Sequence, residues 1–377
     1  INVPHDWVVS LPFEKSDTHS MDSHGYKPVG ALYPETSIGW YRKHFTIEKS
    51  KTNNRFELQF DGIYRNAAIW INGFYVGTNF SGYLGNSYDV TDYMNFETEN
   101  VIVIRVDATQ NEGWFYEGAG IYRHVWLNVT DKIFIPENGV YITTQLKDKT
   151  ASVNIETTIE NSHLIPSNCT TYSYITDRNG KIIAKTNETN VRLGANKNAV
   201  IKQKLTVLNS RLWSIEDPYL YKAISVIKEG NKILQQSKTR FGIRTFKFDA
   251  NEGFFLNGKS VKIKGTNNHQ DHAGIGSALP DYLQYYRIKL LKEMGSNAYR
   301  ASHNAPTSEL LEACDSLGML VLDEQRLLNS SPEYKEQFKR LLVRDRNHAS
   351  VFLWSIGNEE QNIQGSEYGK KIAQSLL

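Results

Sequence analysis

From residue 246 onward the chain alternates strand and helix in a regular order that few folds accept. "SVKIKGTN" (260–267) reads as a strand. "DYLQYYRIKLLKEMG" (281–295) has helical spacing, with Leu283, Tyr286, Leu290, Leu291 and Met294 on one face. "NAYRAS" (297–302) is a strand, and "SELLEACDSLG" (308–318) a helix closed by Gly318. "MLVLDEQ" (319–325) is a strand. Ser331-Pro332 opens the next helix, Ser as cap and Pro at the first position. "SVFLWSIGN" (350–358) is a fourth strand. Strand–helix alternation of this kind builds a parallel sheet with right-handed crossovers. Units of roughly 30 residues fit the first half of a (β/α)8 TIM barrel. Half a barrel leaves strand edges and apolar surface uncovered. The chain is therefore expected to be a truncated piece of a longer protein; the competing reading is a complete, open, four-stranded α/β domain.

Upstream the pattern is all β. In residues 1–130, "WYRKHFTI" (40–47), "RFELQF" (55–60), "AAIWING" (67–73) and "VIVIRVD" (101–107) alternate or run apolar between turns such as Asn72-Gly73. Short strands with frequent turns and no helical period predict a jelly-roll sandwich. Residues 131–245 remain β but are less aromatic. "SVNIETTIEN" (152–161), "TTYSYITD" (170–177) and "YLYKAISVIK" (219–228) read as strands, and Asn179-Gly180 signals a hairpin. That spacing suggests an immunoglobulin-like β-sandwich. The expected fold class is multidomain β plus α/β: a jelly roll over 1–130, an immunoglobulin-like sandwich over 131–245, and the N-terminal half of a TIM barrel over 246–377.

Composition excludes several functions. The 43 Lys+Arg nearly balance the 41 Asp+Glu, and no basic run stands out, so nucleic acid is not an expected partner. No apolar stretch approaches the ~20 residues of a membrane span. The two cysteines, Cys169 and Cys314, define neither a metal motif nor a disulfide framework.

In a barrel of this kind the site lies at the C-terminal ends of the strands. The first strand is followed by Asn268, His269, Asp271 and His272; the second ends in Arg300, His303 and Asn304; the third in Asp323, Glu324 and Arg326; the fourth in Asn358, Glu359 and Glu360. Four polar exits on one rim point to a catalytic or binding edge. No nucleophile elbow, phosphate loop or cysteine zinc site is present. Carboxylates, imidazoles, Arg and Asn suit carbohydrate chemistry: a carboxylic acid protonates a poor leaving group, a second carboxylate traps the oxocarbenium-like centre, and the other groups fix hydroxyls. His269 and His272 as a metal pair is the weaker alternative. Glu359, beside Asn358, is expected to point into a partly desolvated rim, whereas Glu360 faces away as a helix-start carboxylate near the positive end of the dipole.

"WSIGNE" (354–359) resembles the acid/base signature of glycoside hydrolase family 2. "KGTNNHQDH" (264–272), "RASHNAP" (300–306) and "LDE" (322–324) resemble that family's other barrel motifs, in the same order. "VPHDW" (3–7), "GAGIYRHVWL" (118–127), "LWSIEDPYLY" (212–221) and "FGIR" (241–244) look like its two N-terminal sandwiches. The resemblance implies a retaining exo-glycosidase acting on β-linked sugars. It makes Glu359 the acid/base, sets Asn358 on the sugar 2-hydroxyl, and has His269, Arg300 and His303 line the sugar pocket. It gives Asp323 and Glu324 a supporting role and places the nucleophile, a Glu of a later strand, beyond Leu377. Without it the chain alone is expected to be inactive.

Within the family the "SIGNE" form looks most like β-galactosidases, so the expected ligand is a terminal β-D-galactoside or oligosaccharide; β-glucuronidase and β-mannosidase are the alternatives. Some relatives place a magnesium-binding Glu and His after "DE". The corresponding "QRLLNSS" (325–331) has neither, so no cofactor and no metal of that type is expected. A reading from another class is a non-catalytic carbohydrate-binding protein, with Trp114, Phe115 and Tyr116 as a stacking platform. Homo-oligomerisation stays open, and a periplasmic or extracellular location is the weakly favoured expectation.

Overall fold

The structure, a computed structural model, describes residues 1–14, 26–113 and 115–376. Two β-sandwiches lead into a parallel α/β sheet. After one helical turn, α1 (Pro34–Ser37), come β1 (Ile38–Thr46), β2 (Arg55–Phe60), β3 (Ala67–Ile71), β4 (Phe74–Asn79), β5 (Asn86–Asp89), β6 (Glu99–Asp107) and β7 (Val125–Thr130). They form two antiparallel sheets, ordered β1-β6-β3-β4 and β5-β2-β7. Alternation decides which face is inward: Ile102, Ile104 and Val106 of β6 are buried, and they meet Phe56, Leu58 and Phe60 of β2 in one core. Asn72 and Gly73 join β3 to β4 as a two-residue turn, with φ of 51° and 87°. A turn with positive φ at both positions matches the twist of its strands.

The second sandwich holds β8 (Ile133–Phe134), β9 (Val140–Lys147), β10 (Thr150–Asn161), β11 (Ser167–Thr176), β12 (Ile182–Lys185), β13 (Thr189–Leu193), β14 (Lys197–Val207), β15 (Tyr221–Glu229) and β16 (Lys232–Phe241). In β10 every second residue is buried, and Val153, Ile155 and Ile159, with Leu205 of the neighbouring β14, share one core with Ile175 and Ile227 of the opposite sheet. Each such side chain contributes about 1.5–3 kcal/mol on burial. The turn at Asn179-Gly180 is longer than a two-residue hairpin. Thr176 pairs with Ile182, and the Asp177 carboxylate accepts from the amides of Asn179 and Lys181, both at 2.9 Å.

A small meander, β17 (Phe246–Asp249), β18 (Gly253–Leu256) and β19 (Lys259–Ser260), leads to the parallel sheet. That sheet is β20 (Gly265–Asn268), β21 (Ala298–Ala301), β22 (Leu320–Glu324) and β23 (Val351–Ser355), in sequence order. Its helices are α2 (Asp281–Glu293), α3 (Ser308–Leu317), α4 (Pro332–Asp345), α5 (Gln361–Gln364) and α6 (Glu367–Leu376). Ser331 caps α4 as expected, with Pro332 at its first position, and Gly318 ends α3 at φ 73°.

Two local expectations fail. The first barrel strand covers Gly265–Asn268 rather than 260–267. The inner face of α2 is Gln284, Ile288 and Leu291, while Tyr286, Leu290 and Met294 are 40%, 44% and 66% exposed. Ile288 and Leu291 are the apolar residues of α2 that join the core shared by the sheet and α3, while Tyr286 stacks on Tyr282 of the same helix.

Motifs of the first 245 residues act as joints between domains. Asp6 of "VPHDW" is buried and accepts from Val8 N (3.0 Å), Ala119 N (3.1 Å), the Tyr116 hydroxyl (2.8 Å) and Ser277 N (3.0 Å). It thereby ties the first sandwich to the loop after β20. Arg123 of "GAGIYRHVWL" donates to Tyr83 O (2.7 Å), Ala305 O (2.8 Å) and Gln270 Oε1 (3.2 Å). Trp213 of "LWSIEDPYLY" donates Nε1 to Asp315 O at 2.8 Å, and Arg244 of "FGIR" donates Nη2 to Val351 O at 2.9 Å. Gly242 lies so close to both that an added Cβ would sit 2.7 Å from Ala349 and 2.8 Å from Trp213. Buried donors and acceptors of this kind are costly to leave unmade, so these contacts fix the domains' relative placement.

Candidate active site

The rim begins with Glu324, the last residue of β22, whose side chain is fully buried. Parallel registry sets Ser355 of β23 beside it, and Arg300 of β21, in register with Leu322, lies on the same face two residues back. Arg300 donates to Glu324 Oε2 from Nε (2.8 Å) and lies 2.7 Å away through Nη2. The other carboxylate oxygen faces His303 Nδ1 at 2.9 Å. Burial raises the Glu324 carboxyl from its ordinary value, against the pull of the Arg300 guanidinium. Burial, then the charges of Arg300 and Arg326, depress His303 to about 4, against the pull of Glu359. His303 is therefore neutral near pH 7. With Nδ1–H turned to the carboxylate, Nε2 is the acceptor.

Arg300 Nη2 also donates to Asn358 Oδ1 at 2.8 Å. Asn358 is 6% exposed, and its Nδ2 has no hydrogen-bond partner among the described residues. Its amide is thus held through the acceptor oxygen by a guanidinium, while the Nδ2 donor is uncommitted. Glu359 follows in the left-handed region at φ 52°, a backbone state that costs on the order of 1–3 kcal/mol for a non-glycine residue. Its charge reaches His303, which puts it on the same rim. Contrary to expectation it is exposed. Four strands supply only one wall, and one wall leaves a carboxylate at a strand exit in solvent. Glu360 stands at the start of α5 without a side-chain cap bond and accepts from Gln364 Nε2 at 3.2 Å.

His269 joins the rim through its ring, 5.3 Å from His303 and edge-on to it. Burial lowers its pKa. Phe115 of the first sandwich packs on both imidazoles, with centroids 4.6 Å from His269 and 6.0 Å from His303. The loop carrying it is clamped through Glu112, which accepts from the Tyr334 hydroxyl (2.8 Å) and pairs with Arg65 (2.9 Å), and whose carbonyl accepts from Arg326. Phe115 and Tyr116 are therefore interface residues rather than an outward platform, since the Tyr116 hydroxyl is spent on Asp6; Trp114 lies outside the described residues. His272 leaves the rim: it is exposed and its Nδ1 closes a turn on Ala273 O at 2.9 Å, so His269 and His272 do not converge. Asp323 points the other way from Glu324, into the helix layer, where burial and the Asp345 charge hold its carboxyl well above the ordinary range.

All five residues singled out from sequence, His269, Arg300, His303, Asn358 and Glu359, thus lie along one edge of the sheet. Sequence reasoning named Phe115 only as part of a stacking platform and did not foresee its packing on His269 and His303, because it is contributed from another domain. It also named Glu324 only as support, although it holds both Arg300 and His303. The signal for Glu324 was available: an acid at a strand end, one residue past a buried Asp.

Two sandwiches leading into a parallel α/β sheet with carboxylate, guanidinium, amide and imidazole groups at its strand ends define a multidomain barrel protein of glycoside hydrolase type. Three family models bear this out. Glycosyl hydrolases family 2, sugar binding domain, matches residues 29–131; glycosyl hydrolases family 2 matches 133–244; and its TIM barrel domain matches 249–334 and 328–376. The chain belongs to glycoside hydrolase family 2. It is similar to a β-galactosidase of Bacteroides ovatus, BoGH2A, with 38% identity over 95% of this chain and 43% of that protein. It is also similar to a putative β-glucuronidase of Formosa agariphila, with 32% identity over 100% of this chain and 36% of that protein. Among solved structures, a family 2 member from Bacteroides cellulosilyticus superposes with a TM-score of 0.90 at 33% identity, covering 100% of this chain and 51% of that one. The chain spans about half the length, or less, of these relatives.

Proposed function

We infer that this chain supplies the acid/base side of a retaining exo-β-glycosidase whose substrate is a terminal β-D-galactoside. The observation that carries the reading is Asn358, whose Oδ1 is pinned by Arg300 and whose Nδ2 is uncommitted, next to Glu359. An amide donor fixed in this way suits a sugar hydroxyl beside the scissile bond. In the first step the Glu359 carboxyl gives its proton to the glycosidic oxygen. A second carboxylate attacks the anomeric carbon, the C–O bond breaks, and the aglycone leaves as an alcohol. In the second step the Glu359 carboxylate takes a proton from water as that water displaces the enzyme carboxylate from the sugar. The retaining geometry needs the two carboxyl groups about 5–5.5 Å apart. Glu324 is committed to Arg300 and His303, so the nucleophile in this reading lies outside residues 1–377. His303 and His269, both favoured as neutral by burial, offer ring nitrogens to hydroxyls.

A second reading, β-glucuronidase, is favoured by the name of the Formosa relative. The test is a panel of aryl β-glycosides given to the intact polypeptide that contains this chain. Turnover of the galactoside above the glucuronide and mannoside supports the first reading; preference for the glucuronide replaces it with the second. Tight sugar binding without turnover of any of them leaves only a carbohydrate-binding role.

A further inference from the structure

We propose that His124, Asp281 and Glu309 form a binding site for a divalent transition metal, zinc in the first place, that staples the first sandwich to the barrel. These three residues are unrelated to the rim chemistry. They come from the segment entering β7, from the first residue of α2 and from the second residue of α3. One ligand atom from each lies within 4.8 Å of the other two. His124 Nε2 is 2.8 Å from Asp281 Oδ1 and 3.8 Å from Glu309 Oε1. Zinc bonds of about 2.0–2.2 Å in tetrahedral geometry separate ligand atoms by about 3.4 Å. The two His124 separations straddle that value, and the third stays within 4.8 Å, so side-chain adjustment alone can bring the three donors around one ion.

The donors are held from behind. The His124 ring packs on Trp126 with centroids 5.4 Å apart, and Trp126 Nε1 donates to Asp61 Oδ2 at 2.8 Å. The Asp61 amide in turn donates to His124 O at 3.0 Å. These contacts restrain the ring face and the backbone of His124. Neither carboxylate is spent on its own helix: no side chain caps α2, and Thr307 caps α3 through its hydroxyl. The side chains are 30%, 60% and 29% exposed, which admits an ion and leaves a coordination position for water. One imidazole with two carboxylates suits zinc better than calcium, which prefers oxygen throughout. The competing occupant is a proton on His124, ion-paired to the same two acids.

The test is calorimetric titration of the metal-stripped intact polypeptide with zinc chloride, with melting followed in parallel. One equivalent bound saturably, a rise in melting temperature with zinc, and loss of affinity by at least about tenfold in both His124→Gln and Glu309→Gln are expected. The His124→Gln side chain can still hydrogen-bond Asp281, which separates loss of metal from loss of the joint. The proposal is overturned by the absence of saturable heat, by uptake that both variants leave unchanged, or by calcium binding there in preference to zinc.

Discussion

Arg300 grips one oxygen of Glu324 through two nitrogens, Nε at 2.8 Å and Nη2 at 2.7 Å, and with the same Nη2 holds Asn358 at 2.8 Å. Strand β21 is thereby wired to both β22 and β23, and the amide beside Glu359 is placed by a guanidinium two strands away that is itself held by the carboxylate of the strand between. Glu324→Gln removes the anion but keeps the volume. Arg300 then loses its counter-charge and His303 its strong acceptor. Truncating one side of a buried pair costs about 3–5 kcal/mol. Arg300 is 27% exposed, so the lower end applies. The melting temperature should fall by several degrees, and kcat/KM of the intact polypeptide by roughly 10²-fold through misplacement of Asn358 and His303. Kinetics and calorimetry on the same preparation check this; unchanged kcat/KM would show that the rim holds its shape without Glu324.

Asn358→Ala tests the uncommitted amide directly. Loss of a donor to the sugar 2-hydroxyl removes an interaction that strengthens in the transition state and supplies several kcal/mol. The variant should lose roughly 10²–10³-fold in kcat/KM on the full glycoside but much less on the 2-deoxy glycoside. Equal losses on both substrates would move Asn358 away from that hydroxyl.

For Glu359 the leaving group is the probe. Glu359→Gln cannot donate a proton, so an alkyl glycoside or disaccharide should lose about 10²–10⁴-fold. An activated nitrophenyl glycoside needs no proton for its first step and should retain far more of its glycosylation rate. Single-turnover measurements of both substrates separate the effects, and a disaccharide hydrolysed at the parent rate would dismiss Glu359 as the acid.

Much of this was legible in the chain because its signals are local. The period-two pattern of Val153, Ile155 and Ile159, the Asn72-Gly73 turn and the Ser331-Pro332 cap each carry their own physics. The rim was legible because β-α alternation puts every strand exit on one side. What escaped depends on distance in sequence. Phe115 meets His269 only because Asp6, Arg123 and Glu112 dock one domain on another. The buried face of α2 was misjudged because helical spacing grouped the apolar residues without showing which stripe meets the sheet. Glu359 was expected to be partly desolvated because it follows Asn358 at a strand exit facing the rim, whereas solvation there is set by the opposite wall.

Glu117 offers a prediction about pH that does not depend on substrate. It is completely buried, accepts from the Tyr83 hydroxyl and from the Glu112 amide at 3.2 Å, and burial pushes its carboxyl up to about 7. In the unfolded chain the same group titrates near 4.5. Between those values the folded state holds a proton that the unfolded state has released, so raising the pH favours unfolding. The stability this proton supplies is whole below pH 4.5, declines through the window and is gone once pH passes about 7. A displacement of that size corresponds to about 3 kcal/mol. Glu117→Gln keeps an acceptor for Tyr83 and the amide but has no charge to bury. Denaturant unfolding from pH 5 to pH 9 should therefore show the parent losing about 3 kcal/mol relative to the variant, with most of the divergence complete by about pH 8. Curves that run parallel across that range would mean that Glu117 is ionised in the folded protein throughout, with its hydrogen-bond donors enough to hold a buried carboxylate.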